Sequence, residues 1–149
     1  MSPRVLCAID SSESARNAMH VAAHLARDRD GTLELVHVQD RPLWTNEPPV
    51  HFPGDLRQAS LEAVARDLEL WRRDAEKCVP GLPVVTRTAG GSAWDQIVAI
   101  ANADPTIEVI VMGTHGRSGV ARALIGSVAE RVARHAPCSV LVVRPKRAH

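Results

Sequence analysis

Short apolar runs alternate along this chain with longer stretches in which apolar residues recur every three or four positions. Val5 to Ile9, Leu33 to Val38, Ile107 to Met112 and Cys138 to Val143 are too short for helices and rich in branched residues, which predicts buried strands. Leu82 to Arg87 is half polar and reads as an edge strand. After the first run, Ala15, Ala18, Met19, Ala22, Leu25 and Ala26 keep helical spacing, with Ser11, Ser12 and Ser14 as candidate N-caps and Gly31 as the stop. From Asp55 to Cys78, Leu61, Val64, Ala65, Leu68, Trp71 and Ala75 trace one helical face, with Glu62, Arg66, Glu69 and Arg73 largely outside it. Trp94, Ile97, Val98 and Ala101 supply a third helix behind Ser92-x-x-Asp95, a box with aspartate in place of glutamate. Val128, Val132 and Ala136 supply a fourth behind Ser127-x-x-Glu130.

The resulting order, βαβαβαβαβ, predicts one domain spanning residues 1–149. It should be a Rossmann-like α/β/α sandwich whose five parallel strands, joined by right-handed crossovers, lie in the order 3-2-1-4-5. Sheets of this kind bind ligands beyond the C-terminal strand ends, where the strand order reverses. That predicts a cleft between the first and fourth strands, at Asp10 and Gly113, with the end of the second strand, Val38 and Gln39, beside it. The connection after Gln39 contains Pro42, Pro48, Pro49 and Pro53 and is long enough for a lid.

Composition narrows the function. The 149 residues carry 18 lysines and arginines against 17 acids and only 3% aromatics, which offers neither a polyanion surface nor stacking platforms for nucleic acid. No window approaches the about 18 apolar residues of a membrane span. Cys7, Cys78 and Cys138 form an odd set without staple or metal spacing, as expected of a protein of the reducing cytoplasm.

The most informative stretch is Val109 to Val128, VIVMGTHGRSGVARALIGSV, in which a strand passes through Gly113, Gly116 and Gly119 to Gly126, Ser127 and a helix. Glycines let backbone N–H groups approach a ligand, and a helix N-terminus adds partial positive charge, so a phosphate is the expected occupant. A glycine pair alone could merely shape a turn. Ser127 is equally a simple helix cap, and Asp10 a turn former rather than a partner for a sugar hydroxyl. Arg117 is the better cation for phosphates, since arginine stays charged, whereas His115 near neutral pH is a hydrogen-bonding or surface group; Arg122 is a further cation beside the loop. His37 reads as a structural histidine within a strand, and His20, His24 and His135 are scattered over helices without forming a metal set. Trp71 and Trp94 read as core; Trp44 could cover a ligand or simply anchor its loop.

With Gly113, Gly116, Gly126 and Ser127 spaced as G-x2-G-x9-G-S, the chain resembles the nucleotide-binding branch of the universal stress proteins from Val5 to Arg144. The resemblance implies ATP as ligand, with or without Mg2+. It also implies pocket roles for Asp10, for Val38 against the adenine, and for Met112 and Val128 flanking the loop. Members often have proline or another small residue two positions before the aspartate, where this chain has Ala8.

Three functions are compatible with these residues: a nucleotide-dependent regulator or sensor in a stress response, a slow ATPase or nucleotide hydrolase, and a ligand-free dimerisation module. Hydrolysis at enzymatic rates would need a placed base or metal-held water, and the chain shows neither an obvious one nor a Walker lysine. Retention of the full glycine motif argues against a ligand-free module. The last strand, apolar on both faces yet expected at a sheet edge, predicts a homodimer through Cys138 to Val143, and many universal stress proteins pair through this strand.

Overall fold

A computed structural model of the chain describes residues 1–10, 12–39, 54–114 and 125–145, with side chains from residue 62 onward in the second helix. The elements are β1 (Arg4–Ala8), α1 (Glu13–Asp28), β2 (Thr32–Gln39), α2 (Gly54–Cys78), β3 (Val84–Gly90), α3 (Ala93–Ala103), β4 (Ile107–Gly113), α4 (Ser127–His135) and β5 (Ser139–Val143). All strand pairings are parallel and the order is β3-β2-β1-β4-β5, as the alternation predicts.

The period of two along each strand divides the core into two layers. Val5, Cys7, Leu33, Leu35, Val109 and Val111 face α1 and α2, where Ala18, Ala22, Ala23 and Ala26 let the first helix lie close to the sheet. Leu6, Val36, Ile110 and Met112 face α3 and α4, where they meet Ile97, Ala101, Ala129 and Val132. Trp71 and Trp94 pack at the margins of these layers rather than inside them, and each carries a guanidinium over its ring, Arg16 at 5.6 Å and Arg131 at 5.7 Å.

One charged residue breaks the apolar pattern of β2. Glu34 is only 1% exposed and bonds Arg4 of β1 at 2.9 Å and Arg87 of β3 at 2.7 Å, so three adjacent strands are tied by one carboxylate. The guanidiniums reach solvent while the carboxylate does not. Removal from water is costly for a carboxylate unless such partners compensate it.

Some boundaries differ from the sequence reading. β3 begins at Val84 rather than Leu82 because Pro83 has no N–H to give the ladder; its carbonyl instead accepts from Leu33 N–H at 3.0 Å. It continues to Gly90, pairing Thr88, Ala89 and Gly90 with His37, Val38 and Gln39. Among the three candidate serines, Ser12 caps α1 and accepts from Ala15 N–H at 3.1 Å. Neither expected capping box forms. Ser92 precedes α3 without a side-chain bond, and the cap of α4 is Gly126 rather than Ser127. Among the described residues no helix is long and apolar enough to cross a membrane.

Candidate functional site

Since α1 and α2 lie on one face of the sheet and α3 and α4 on the other, the chain leaves β1 and β4 in opposite directions. A crevice at the C-terminal ends of these neighbours follows. Asp10 stands on one side of it, two residues past Ala8 at the end of β1. Its Oδ1 accepts from Ser12 N–H at 2.8 Å, a short turn that delivers the chain to the α1 cap. The turn-forming role is therefore present, and it engages one carboxylate oxygen.

Across the crevice, β4 ends at Gly113, and the backbone of Thr114 holds the next two elements. Thr114 N–H donates to Val143 O of β5 at 3.2 Å, and Thr114 O accepts from Gly126 N–H at 2.6 Å. The N-terminus of α4 is thus set directly beside the end of β4.

That hydrogen bond also decides how α4 begins. Gly126 is extended (φ −62°, ψ 157°) and acts as N-cap, so Ser127 becomes the first helical residue rather than the cap. Glu130, the expected partner of a Ser127 box, instead bonds Arg134 at 2.7 Å. The first helical bond runs from Glu130 N–H to Gly126 O at 3.0 Å, so the N–H groups of Ser127, Val128 and Ala129 precede it. α1 has its first turn closed by two side chains; among the described residues α4 has no side-chain cap, and Ser127 and Val128 are exposed. Uncapped N–H groups at the positive end of a helix dipole, facing a crevice, are suited to an anion.

The remaining candidates are placed as follows. Ala8, Val38 and Met112 lie on the α3–α4 face, where Ala8 and Val38 are half-buried and Met112 is fully packed into the core. Met112 can therefore meet a ligand only through its backbone or a limited edge. Gly113 has a packing role that the sequence reading did not foresee. A Cβ there would lie 2.1 Å from Ser14 Oγ and 2.9 Å from the Ser14 backbone carbon, so the close approach of α1 by itself requires the glycine. Ser14 is buried, and its hydroxyl has no hydrogen-bond partner among the described residues. The sequence signal for this contact was the position of Ser14, one turn before Ala18 on the inner stripe of α1. His37 behaves as a structural histidine, its Nδ1 lying 3.4 Å from Ile9 O. His115, Gly116, Arg117, Gly119, Arg122 and Trp44 lie outside the described residues. Among the described residues no three metal-ligating side chains converge.

A parallel five-stranded sheet in this order, with an uncapped fourth helix held against β4 by Thr114, accompanies a match of residues 1–144 to the model of the universal stress protein family. The chain belongs to that family. It is 29% identical to the universal stress protein YxiE of Bacillus subtilis, over 95% of this chain and 98% of that one. The universal stress protein UspA from Lactobacillus plantarum shares the fold with a TM-score of 0.77 and 25% identity, over 96% and 98% of the two chains. The universal stress protein from Archaeoglobus fulgidus in complex with dAMP shares it with a TM-score of 0.68 and 22% identity, over 97% and 98%.

Proposed function

We propose that this universal stress protein binds an adenine nucleotide, ATP in the first instance, in the crevice between β1 and β4, and acts as a nucleotide-dependent regulator in a stress response. The observation that carries the reading is the uncapped N-terminus of α4, held beside the end of β4 by the 2.6 Å bond from Gly126 N–H to Thr114 O. The N–H groups of Ser127, Val128 and Ala129 and the exposed Ser127 hydroxyl stand there for phosphate oxygens. Asp10 and the end of β2 at Val38 stand on the side where a ribose and base would lie. The structure of a relative with dAMP is consistent with an adenine ligand of this kind.

In this reading Gly116 lets the loop backbone approach the phosphates, and Arg117 offsets their charge. Mg2+ would enter with the nucleotide. Asp10 stands past the end of β1, and one of its oxygens already serves the turn to α1, which disfavours it as a base for an attacking water. Turnover is accordingly expected to be far below the typical enzymatic rate of about 10 per second. The protein would then work by occupancy, in the cytoplasm and as a homodimer through β5.

Calorimetry with ATP on the wild type and on Gly116→Val tests the reading, together with native mass spectrometry of freshly purified protein. A nucleotide carried through purification, and its loss in the variant with unchanged circular dichroism, are expected. Equal affinity in both proteins, or none in either, would refute the site. Arg117→Ala should weaken ATP more than adenosine; equal losses would mean that Arg117 does not read phosphate.

A further inference from the structure

At the far end of α1 from the crevice, two side chains of chemical interest meet on the surface. Cys78, the last residue of α2, has its Sγ 3.5 Å from Nε2 of His24 in α1. The thiol is half-buried and the imidazole exposed. The charged neighbours are engaged elsewhere: Arg27 and Asp28 pair with each other at 2.9 Å, and Asp74, one turn before Cys78, pairs with Arg16 at 3.5 Å. Among the described residues no carboxylate pairs with the His24 ring, and Lys77, adjacent in sequence to Cys78, is the nearest cation along the chain.

The other two thiols are in different surroundings. Cys7 is fully buried in β1, and burial pushes its thiol up to about 12. Burial also raises the Cys138 thiol, against the opposing effect of a backbone hydrogen bond at Ile110. Only the thiolate is nucleophilic, so both are poor attackers at neutral pH.

We propose that Cys78 and His24 form a nucleophile and base pair that makes Cys78 the site of reversible mixed-disulfide formation with low-molecular-weight disulfides. A neutral imidazole protonated on Nδ1 presents the Nε2 lone pair to the thiol and takes its proton. The Cys78 sulfur then attacks one sulfur of the disulfide, a new S–S bond forms, and the old one breaks. The leaving thiolate takes up the proton from His24, so one thiol is consumed and one released, and the electron pair lost by Cys78 sulfur is gained by the leaving sulfur. His20, one turn before His24, could add a donor for a soft metal, but no three such donors converge among the described residues, and exchange chemistry needs only the observed pair.

The test is incubation of the folded protein with oxidised glutathione, with adducts located by peptide mass spectrometry from pH 6 to pH 9. The wild type should carry its first adduct on Cys78, and Cys78→Ser should lose it. His24→Gln, which retains a polar surface group, should react about tenfold more slowly at pH 7, the gap narrowing at alkaline pH where solvent alone ionises a thiol. A first adduct on Cys138, or equal rates for wild type and His24→Gln at every pH, would overturn the proposal. A wild-type rate that rises when a chelator is added would also overturn it, by showing that the pair holds a metal instead.

Discussion

At the scale of single residues, packing and local hydrogen bonds set the roles of two positions, Gly113 beside the crevice and Asp104 at the opposite end of β4. Gly113 lies in the glycine motif, yet its missing Cβ is required by Ser14, whose backbone carbon would be 2.9 Å from a Cβ at that position. Gly113→Ala should therefore destabilise the fold by about 1–3 kcal/mol in urea unfolding, as overpacking does. Ser14→Ala should not rescue it, because the obstructing Cβ and backbone carbon remain. Full rescue would show that the hydroxyl alone was the obstacle. Asp104, which follows α3, accepts from Thr106 N–H at 2.9 Å and Thr106 Oγ1 at 2.6 Å, and these bonds, with Arg4 nearby, hold its carboxyl below the ordinary carboxylate range. A depressed native pKa stabilises the fold above the unfolded-state pKa, and the contribution is lost as pH falls through the native value. Asp104→Asn should thus lower stability by about 1 kcal/mol at pH 7. The difference should vanish in acid below the carboxylate range; a deficit that persists there would mean that charge is not its source.

At the scale of elements, α4 carries the argument, and its N-terminus is where stability and binding oppose one another. An aspartate at the Gly126 position has an accessible backbone conformation (φ −62°) and would supply a side-chain cap, with a negative charge nearer the first N–H groups than that of Glu130. Gly126→Asp should raise stability by about 0.5 kcal/mol in thermal unfolding. The same carboxylate would occupy the N–H groups offered to phosphate, so ATP affinity should fall about tenfold or more by calorimetry, equivalent to about 1.4 kcal/mol. If affinity is unchanged while stability rises, the phosphates do not sit on this helix end. α1 makes the contrast within one molecule, since Asp10 and Ser12 already close its first turn.

At the scale of the whole molecule, the sheet ends at β5, where Val140 and Val142 pack toward α3 and α4, Val143 packs toward α1 and α2, and Leu141 is 39% exposed. The described strand contains no proline, lysine or bulge to guard its outer edge. A second copy related by a twofold axis would cover Leu141, and we expect light scattering to give a dimer for the wild type and a shift to monomer for Leu141→Lys. A monomeric wild type, or a fully dimeric variant, would remove β5 as the interface. The order of elements, the strand order and the division of core residues between two faces were legible in the sequence, because burial on a strand or helix repeats with the period of the backbone. Even the edge character of β3 could be read from its polar residues. Local start signals were less reliable: Ser127-x-x-Glu130 has the pattern of a capping box, but a long-range bond from Gly126 N–H to Thr114 O sets the helix start one residue away. Likewise the sequence shows a glycine at 113 but not Ser14 beneath it, and places His24 and Cys78, 54 positions apart, in separate helices. Periodicity reports which face of an element is covered, whereas contacts between elements depend on distances across the fold, and those only the tertiary structure decided.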